Sequence, residues 1–186
     1  NSTRRRKSAV LAFLLVLTTI SSFAQEIITP FKVRFKTEQR GGIVYVSNNI
    51  LTSRDNSPGE NSNNDSYYSK YINIDQSTGI FSSSSADLNL PVCSSITFAG
   101  LYWGGSAASF NERFSERNQV KLKFPNESNY VDLSADVDFG MFQDRHYQYF
   151  KDVTSLFSNR AITGTYTVAN VVAQEDQKGE EAGWTL

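Results

Sequence analysis

The sequence has few of the residues that usually carry covalent or metal chemistry. Among its 186 residues there are one cysteine, one histidine and one methionine. A single cysteine cannot build a disulfide framework within the chain. Cys93 follows Pro91 and Val92 and should lie at the entrance of a strand. We expect a buried, inert thiol there, with an intermolecular bridge as the alternative.

The single histidine, His146, is not accompanied by a local motif that marks a serine or cysteine nucleophile. Triad members can lie far apart in sequence, so this observation alone does not exclude a hydrolase. A histidine at the surface or in a capping position is the simpler interpretation. Paired carboxylates for glycosidase chemistry need a cleft, which a sequence does not reveal. We therefore predict that the protein is not an enzyme.

Long apolar runs are also scarce, and the main one lies at the N-terminus. Four basic residues at 4–7 precede an apolar run over residues 8–20. This run is shorter than the roughly 20 residues of a membrane-spanning helix. Ser22 and Ala24 provide small residues where a signal peptidase reads them. We predict a signal peptide over residues 1–24 and a secreted, extracellular protein without a transmembrane segment, an uncleaved anchor being the alternative.

Removal of the signal peptide changes the charge balance. Residues 1–24 carry four of the 18 basic residues and none of the 19 acidic ones, which leaves 14 against 19, a net charge of −5. An acidic domain is a poor partner for nucleic acid or anionic membranes. The chain starts with Asn1 and ends on residues 183–186, which resemble a shortened strand. We expect residues 25–186 to form one domain, truncated at its C-terminal end, of a protein with downstream modules.

The longest apolar run outside the N-terminus is residues 96–105, ITFAGLYWGG, which has no charge. Such a run, bounded by turn formers, predicts a strand buried on both faces. Gly100 would allow another backbone to approach closely, and Gly104 and Gly105 should end the strand in a turn. Side chains alternate along a strand, so Tyr102 and Trp103 should point to opposite faces. We expect Trp103 in the core.

Short segments of alternating apolar residues predict further strands, over residues 27–35, 42–46, 67–74, 86–91, 120–124, 130–135 and 164–173, with a last one from Gly183. Helical spacing favours one turn near Phe110 and Phe114 and a short helix over residues 148–157. Residues 53–66 are rich in Asn and Ser and should form an exposed loop. The pattern indicates an all-β protein, an antiparallel, jelly-roll-like β-sandwich with one or two short helices in its connections.

Several segments in this order resemble the N-terminal β-sandwich module of large secreted bacterial surface proteins. The segments are FSSSSADLNLP at 81–91, AGLYWGG at 99–105, VKLK at 120–123, YFKDVT at 149–154, GTYTVANV at 164–171 and AGWTL at 182–186. In the Bacteroidetes, proteins of this kind often end in a type IX secretion sorting domain, as gliding-associated adhesins do. The resemblance covers roughly residues 41–186. It implies a role at the cell surface in adhesion or presentation and provides no catalytic residues.

Two groups of residues are candidates for ligand binding. Asp136 and Asp138 alternate before Gly140, as carboxylates do in calcium loops, but the remaining EF-hand positions are absent. A solvated turn is the alternative there, and no other cofactor is indicated. Tyr147 and Tyr149 would share one face of an extended segment and are the better candidates for an exposed, sugar-stacking platform.

These observations lead to two hypotheses about function. The first is a non-enzymatic extracellular module of an adhesin-like surface protein, which binds a glycan or protein through its loops. The second is a carbohydrate-binding, lectin-like β-sandwich domain that uses Tyr147 and Tyr149, with or without calcium. Fold alone does not distinguish the two.

Overall fold

The computed structural model describes residues 32–55 and 64–186, and this part of the chain is all-β. The predicted signal peptide lies outside the described residues, as do residues 27–31 of the first predicted strand and 56–63 of the predicted loop. The strands are β1 (Ser47–Asn49), β2 (Leu51–Ser53), β3 (Ser69–Tyr71), β4 (Ser83–Leu88), β5 (Gly100–Ser106), β6 (Gln119–Lys123), β7 (Val131–Ser134), β8 (Val137–Phe142), β9 (His146–Asp152), β10 (Gly164–Ala169) and β11 (Ala182–Thr185).

Two antiparallel sheets form the body of the protein. One has five strands in the order β1-β11-β5-β9-β8, and the other has four in the order β4-β10-β6-β7. Strands β2 and β3 pair separately. Helical structure in the described residues is limited to 3-10 turns at Asn64–Ser66, Phe114–Glu116 and Thr154–Phe157. No helix within residues 32–55 and 64–186 has the length and apolar character that crossing a bilayer requires.

The core lies between the two sheets and contains residues from both. Trp103 of β5 is 1% exposed, as predicted, and its indole N–H donates to the carbonyl oxygen of Arg117 at 2.9 Å. Alternating side chains of both sheets form one buried cluster, which includes Leu101, Trp103, Tyr147, Tyr149 and Trp184 from the five-stranded sheet and Leu88, Val120, Leu122, Leu133, Tyr166 and Val168 from the four-stranded sheet. The predicted all-β sandwich is confirmed.

The serine run before the predicted strand at 86–91 is itself part of a strand. β4 begins at Ser83, and the side chains of Ser82, Ser83 and Ser84 are at most 1% exposed. Their hydroxyls satisfy neighbouring polar groups: the indole N–H of Trp184 donates to Ser84 Oγ at 2.9 Å. Serine is not among the β-branched and aromatic residues that are enriched in strands. Its placement here depends on partners that are distant in sequence.

Other local predictions were wrong. Residues 43–45 form no strand and are exposed, and the strand starts at Ser47 instead. β5 continues through Gly104 and Gly105 rather than ending in a turn there. The helix predicted over residues 148–157 is instead a strand, which pairs with β5 and β8, followed by a 3-10 turn. Cys93 is exposed in a turn with φ of 70°, so the expected buried thiol is also wrong.

Candidate functional site

The outer face of the five-stranded sheet is divided into a covered half and a bare half. The covered half, here called the aromatic patch, consists of Phe35, Phe98, Tyr102, Phe139 and Phe150. Phe150 is 4% exposed although it does not belong to the core cluster between the sheets. It is therefore buried from the outside, by residues that pack on the back of the sheet.

The N-terminal segment and the residues before β5 contribute Phe35 and Phe98 to the aromatic patch and cover the patch residues that belong to the sheet. The rings of Phe35 and Phe98 stack at 5.0 Å, and the ring of Tyr102 lies 4.8 Å from that of Phe150. The guanidinium of Arg34 lies 5.2 Å and 5.3 Å from the ring centroids of Phe139 and Phe150, within the range of cation–π attraction. Residues 34 and 35 thus hold the segment against the sheet although they form no strand.

The bare half, here called the trough, follows one row of residues across four strands. The register pairs Asn49 of β1 with Gly183 of β11, Gly183 with Gly104 of β5, and Gly104 with Gln148 of β9. Paired residues in neighbouring strands share a face of the sheet. Because the two central members of this row have no side chain, the surface between Asn49 and Gln148 is concave.

Two adjoining concavities, of about 280 Å³ and about 500 Å³, occupy the trough. Asn49, Gly104, Gln148 and Gly183 line both of them. The smaller one extends toward the aromatic patch, and its lining adds Ser47, Asn48, Tyr102, Trp103, Trp184 and Thr185. The larger one extends the other way, and its lining adds Leu51, Tyr67, His146, Tyr147, Gly105, Glu180, Glu181 and Ala182.

Close backbone packing requires the glycines of the trough. A Cβ atom at Gly104 would lie 2.6 Å from the carbonyl oxygen of Tyr147, and one at Gly183 would lie 2.9 Å from that of Asn48. Both distances are too short for a carbon–oxygen contact, so a larger residue would displace a neighbouring strand. The trough is thus built into the backbone arrangement of the sheet.

A polar cluster forms the wall at one end of the larger concavity. The Glu180 side chain is 2% exposed, and its carboxylate accepts hydrogen bonds from the Ser106 hydroxyl and from Arg145. The amide N–H of Glu181 donates to Ser106 Oγ at 3.1 Å. The imidazole Nδ1 of His146 lies 3.4 Å from a carboxylate oxygen of Glu181. These contacts fix the segment before β11 against β5 and give the wall a defined shape.

The expectation that Tyr147 and Tyr149 are exposed was wrong. They do share one face of a strand, but it is the inner one, and their exposed fractions are 4% and 5%. The Tyr147 hydroxyl donates to the carbonyl oxygen of Val172 at 2.6 Å, and burial raises the pKa of this phenol. Burial, followed by the nearby carboxylate of Asp138, also raises the pKa of Tyr149. In this arrangement neither ring can stack on a ligand from solvent.

The two calcium candidates lie at the start of β8, away from the trough. Asp136 accepts hydrogen bonds from Lys151 Nζ at 2.7 Å and from the Asp152 amide at 3.0 Å. Asp138 accepts one from the Gly140 amide at 2.7 Å. Within the described ranges, no three acidic, histidine or cysteine residues are grouped as a metal site would need. Both carboxylates thus have structural partners within the fold.

Sequence reasoning did not identify the trough. The available signal was glycine at positions 104 and 183 inside apolar strands, because glycine within a strand often marks a close approach of backbone or ligand. The alignment of the two glycines depends on the β5–β11 pairing, which joins distant parts of the chain. Comparison of the chain with family models, curated proteins and solved structures gave no match. The resemblance to bacterial surface modules therefore rests on the sequence segments alone.

Proposed function

We propose that the chain is a non-enzymatic, extracellular module of a bacterial adhesin-like surface protein, and that it binds its ligand at the trough. The observation that carries this proposal is the position of the concave surface. The space between the sheets is filled by buried side chains, whereas both concavities lie on an outer face that solvent reaches. A rigid sheet with an open, recessed face suits recognition of a ligand.

Export is supported by the sequence. A basic segment, an apolar run of limited length and small residues before Gln25 are the three parts of a secretory signal. The order of the segments between residues 81 and 186 resembles secreted surface modules. Both features agree with an extracellular role, and neither depends on the fold.

The polar wall of the trough supports binding rather than hydrolysis. Ser106 and His146 are opposite each other in the β5–β9 register, which could suggest a nucleophile and its base. However, Ser106 is fully buried and its hydroxyl donates to Glu180. A nucleophile must present its oxygen to both the substrate and a base, and this hydroxyl already has its acceptor.

Expression of the whole chain in a Gram-negative host tests the proposal. The expected result is export, with a mature N-terminus at Gln25 in the mass spectrum of the exported product. That product should bind at least one of three coated surfaces, namely mucin, fibronectin or insoluble polysaccharide, and release no reducing sugar from the last. Retention in the cytoplasm with residues 1–24 intact would contradict export. Sustained release of reducing sugar would contradict a non-enzymatic role.

A further inference from the structure

We infer that the trough is a subsite for an uncharged saccharide, whose ring lies over Gly104 and Gly183 and whose hydroxyl groups bond to Asn49 and Gln148. This inference rests on the proposed binding function and specifies its ligand class. It replaces the platform of Tyr147 and Tyr149 with a different set of residues on the opposite face of the sheet.

The shape of the trough suits a flat ring. The two glycines place bare backbone at its floor, and their Cα–H groups can make weak contacts with the oxygen atoms of a sugar. Asn49 and Gln148 stand on either side, one strand away from the floor in each direction. The larger concavity, of about 500 Å³, falls within the range of small-ligand sites, about 300–1,000 Å³, and the smaller one, of about 280 Å³, lies just below it.

The side chains around the trough offer unused hydrogen-bonding groups of both kinds. Asn49 and Gln148 are exposed, and their side-chain amides make no hydrogen bond within the described residues. Each amide has an oxygen acceptor and two N–H donors, which match a hydroxyl group that both donates and accepts. Hydroxyls of Ser47, Thr185 and Tyr102 add three further groups along the smaller concavity. A polyhydroxylated ligand is the class that can form the most hydrogen bonds with such a lining.

Charge excludes the other common polar ligands. No lysine or arginine belongs to the lining of either concavity, as far as the described residues show. The charged groups at the far end of the trough are the carboxylates of Glu180 and Glu181 and the guanidinium of Arg145, which is paired with Glu180. A phosphate, sulfate or uronate would meet the like charge of Glu181 there, and Arg145 is already engaged by a carboxylate. The ligand that fits is therefore a neutral sugar rather than an acidic polysaccharide or a nucleic acid.

The test compares binding of the exported chain and its variants to immobilised neutral oligosaccharides, derived from mannan and from β-glucan, and acidic ones, derived from alginate and from pectate. Binding to at least one neutral probe is expected. Asn49→Ala and Gln148→Ala should each weaken it about three- to tenfold, the effect of a lost hydrogen bond to a neutral group. Gln119→Ala is the matched control, because this exposed glutamine starts β6 on the other sheet and does not line the trough.

Three outcomes would overturn the inference. They are the absence of binding to every neutral probe, preferential binding to the acidic probes, and binding that Asn49→Ala and Gln148→Ala leave unchanged. Thermal unfolding of each variant shows that a loss of binding does not reflect a loss of folding. If the exported chain adheres to a coated surface but fails these tests, the saccharide subsite is wrong while the adhesin function stands. If the chain is not exported or adheres to none of the surfaces, the proposed function fails as well.

Discussion

The aromatic patch and the trough lie on the same face of the five-stranded sheet and share β5 and β9, yet their side chains have opposite roles. In β5, Tyr102 and Gly104 are two residues apart on the outer face, and in β9 the same is true of Phe150 and Gln148. Phe150 is packed under Arg34 and Tyr102 lies half-buried beside it, whereas Gly104 and Gln148 line the trough. A distance of two residues along each strand, which is one full repeat of the side-chain alternation, therefore separates a buried region from a bare one.

The difference indicates which half stabilises the fold. Apolar surface removed from water contributes about 25 cal/mol per Å², and aromatic pairs add about 0.5–1.5 kcal/mol through their geometry. The aromatic patch provides both buried apolar area and aromatic pairs. The trough has two glycines and exposed amides, which contribute little buried apolar area and no aromatic pairing. Its residues can therefore serve a ligand at little cost in stability.

Loss of the Phe150 ring should be the most severe change. Phe150→Ala removes a side chain that is 4% exposed and contacts Phe98 and Tyr102. We expect a loss of about 3–5 kcal/mol in the free energy of unfolding, as for other buried phenylalanines. Gln148→Ala, two residues away, should change it by about 0.5 kcal/mol or less. Urea unfolding measures both, and similar losses for the two variants would contradict the division of this face.

Substitution of Gly100 gives a second contrast, with a smaller expected effect on stability. A Cβ atom at this position would lie 2.6 Å from Phe150 Cε2 and 3.3 Å from Phe98 Cζ. Gly100→Ala should therefore displace the aromatic patch and cost about 1–3 kcal/mol, the usual range for overpacking. Gly41→Ala is the control, because a Cβ atom there meets nothing within 4 Å. Equal midpoints of urea unfolding for the two variants would show that the patch adapts freely.

The sequence was sufficient to predict the sandwich and its central strand, because an uncharged apolar run and alternation are local signals. The burial of Trp103 and the strands at 120–124 and 130–135 follow from them, each within two residues of its predicted bounds. The prediction of a strand at 42–46 was wrong in its bounds. Pairing in this region begins at Val46, which exchanges both backbone hydrogen bonds with Leu186.

The candidate site was harder to predict than the fold. Tyr147 and Tyr149 had the correct spacing for a shared face, but spacing does not tell which of the two faces is buried. The trough depends on β1, β11, β5 and β9 meeting in register, and the residues that meet there come from positions as distant as 49 and 183. Only the three-dimensional pairing identifies glycine as the floor of a concavity.

The N-terminal segment should contribute moderately to the stability of the covered half. The guanidinium of Arg34, which is half-buried, lies over two aromatic rings, and such an interaction contributes between about 0.5 and 2 kcal/mol, depending on its burial. Arg34→Ala should lower the unfolding free energy by about this amount and leave saccharide binding unchanged. Lys36→Ala is the matched control, since Lys36 is exposed and makes no ring contact in the described structure. An equal effect of both variants would mean that Arg34 does not anchor the segment.

Acid should slightly lower the free energy of unfolding through protonation of Asp136, which lies next to the covered half. Partial burial alone would raise the pKa of this carboxyl, but hydrogen bonds from Lys151 and the Asp152 amide lower it below its usual 3.8. The unfolded chain therefore takes up the proton first, so the stabilisation is present above about pH 4 and is lost as pH falls through the folded-state pKa. Asp136→Asn should reduce this acid dependence in urea unfolding, with Asp132→Asn on the other sheet as control. The effect should be small because the Asp136 side chain is 42% exposed. If Asp136→Asn lowers the free energy of unfolding by the same amount at neutral and at acid pH, the linkage is refuted.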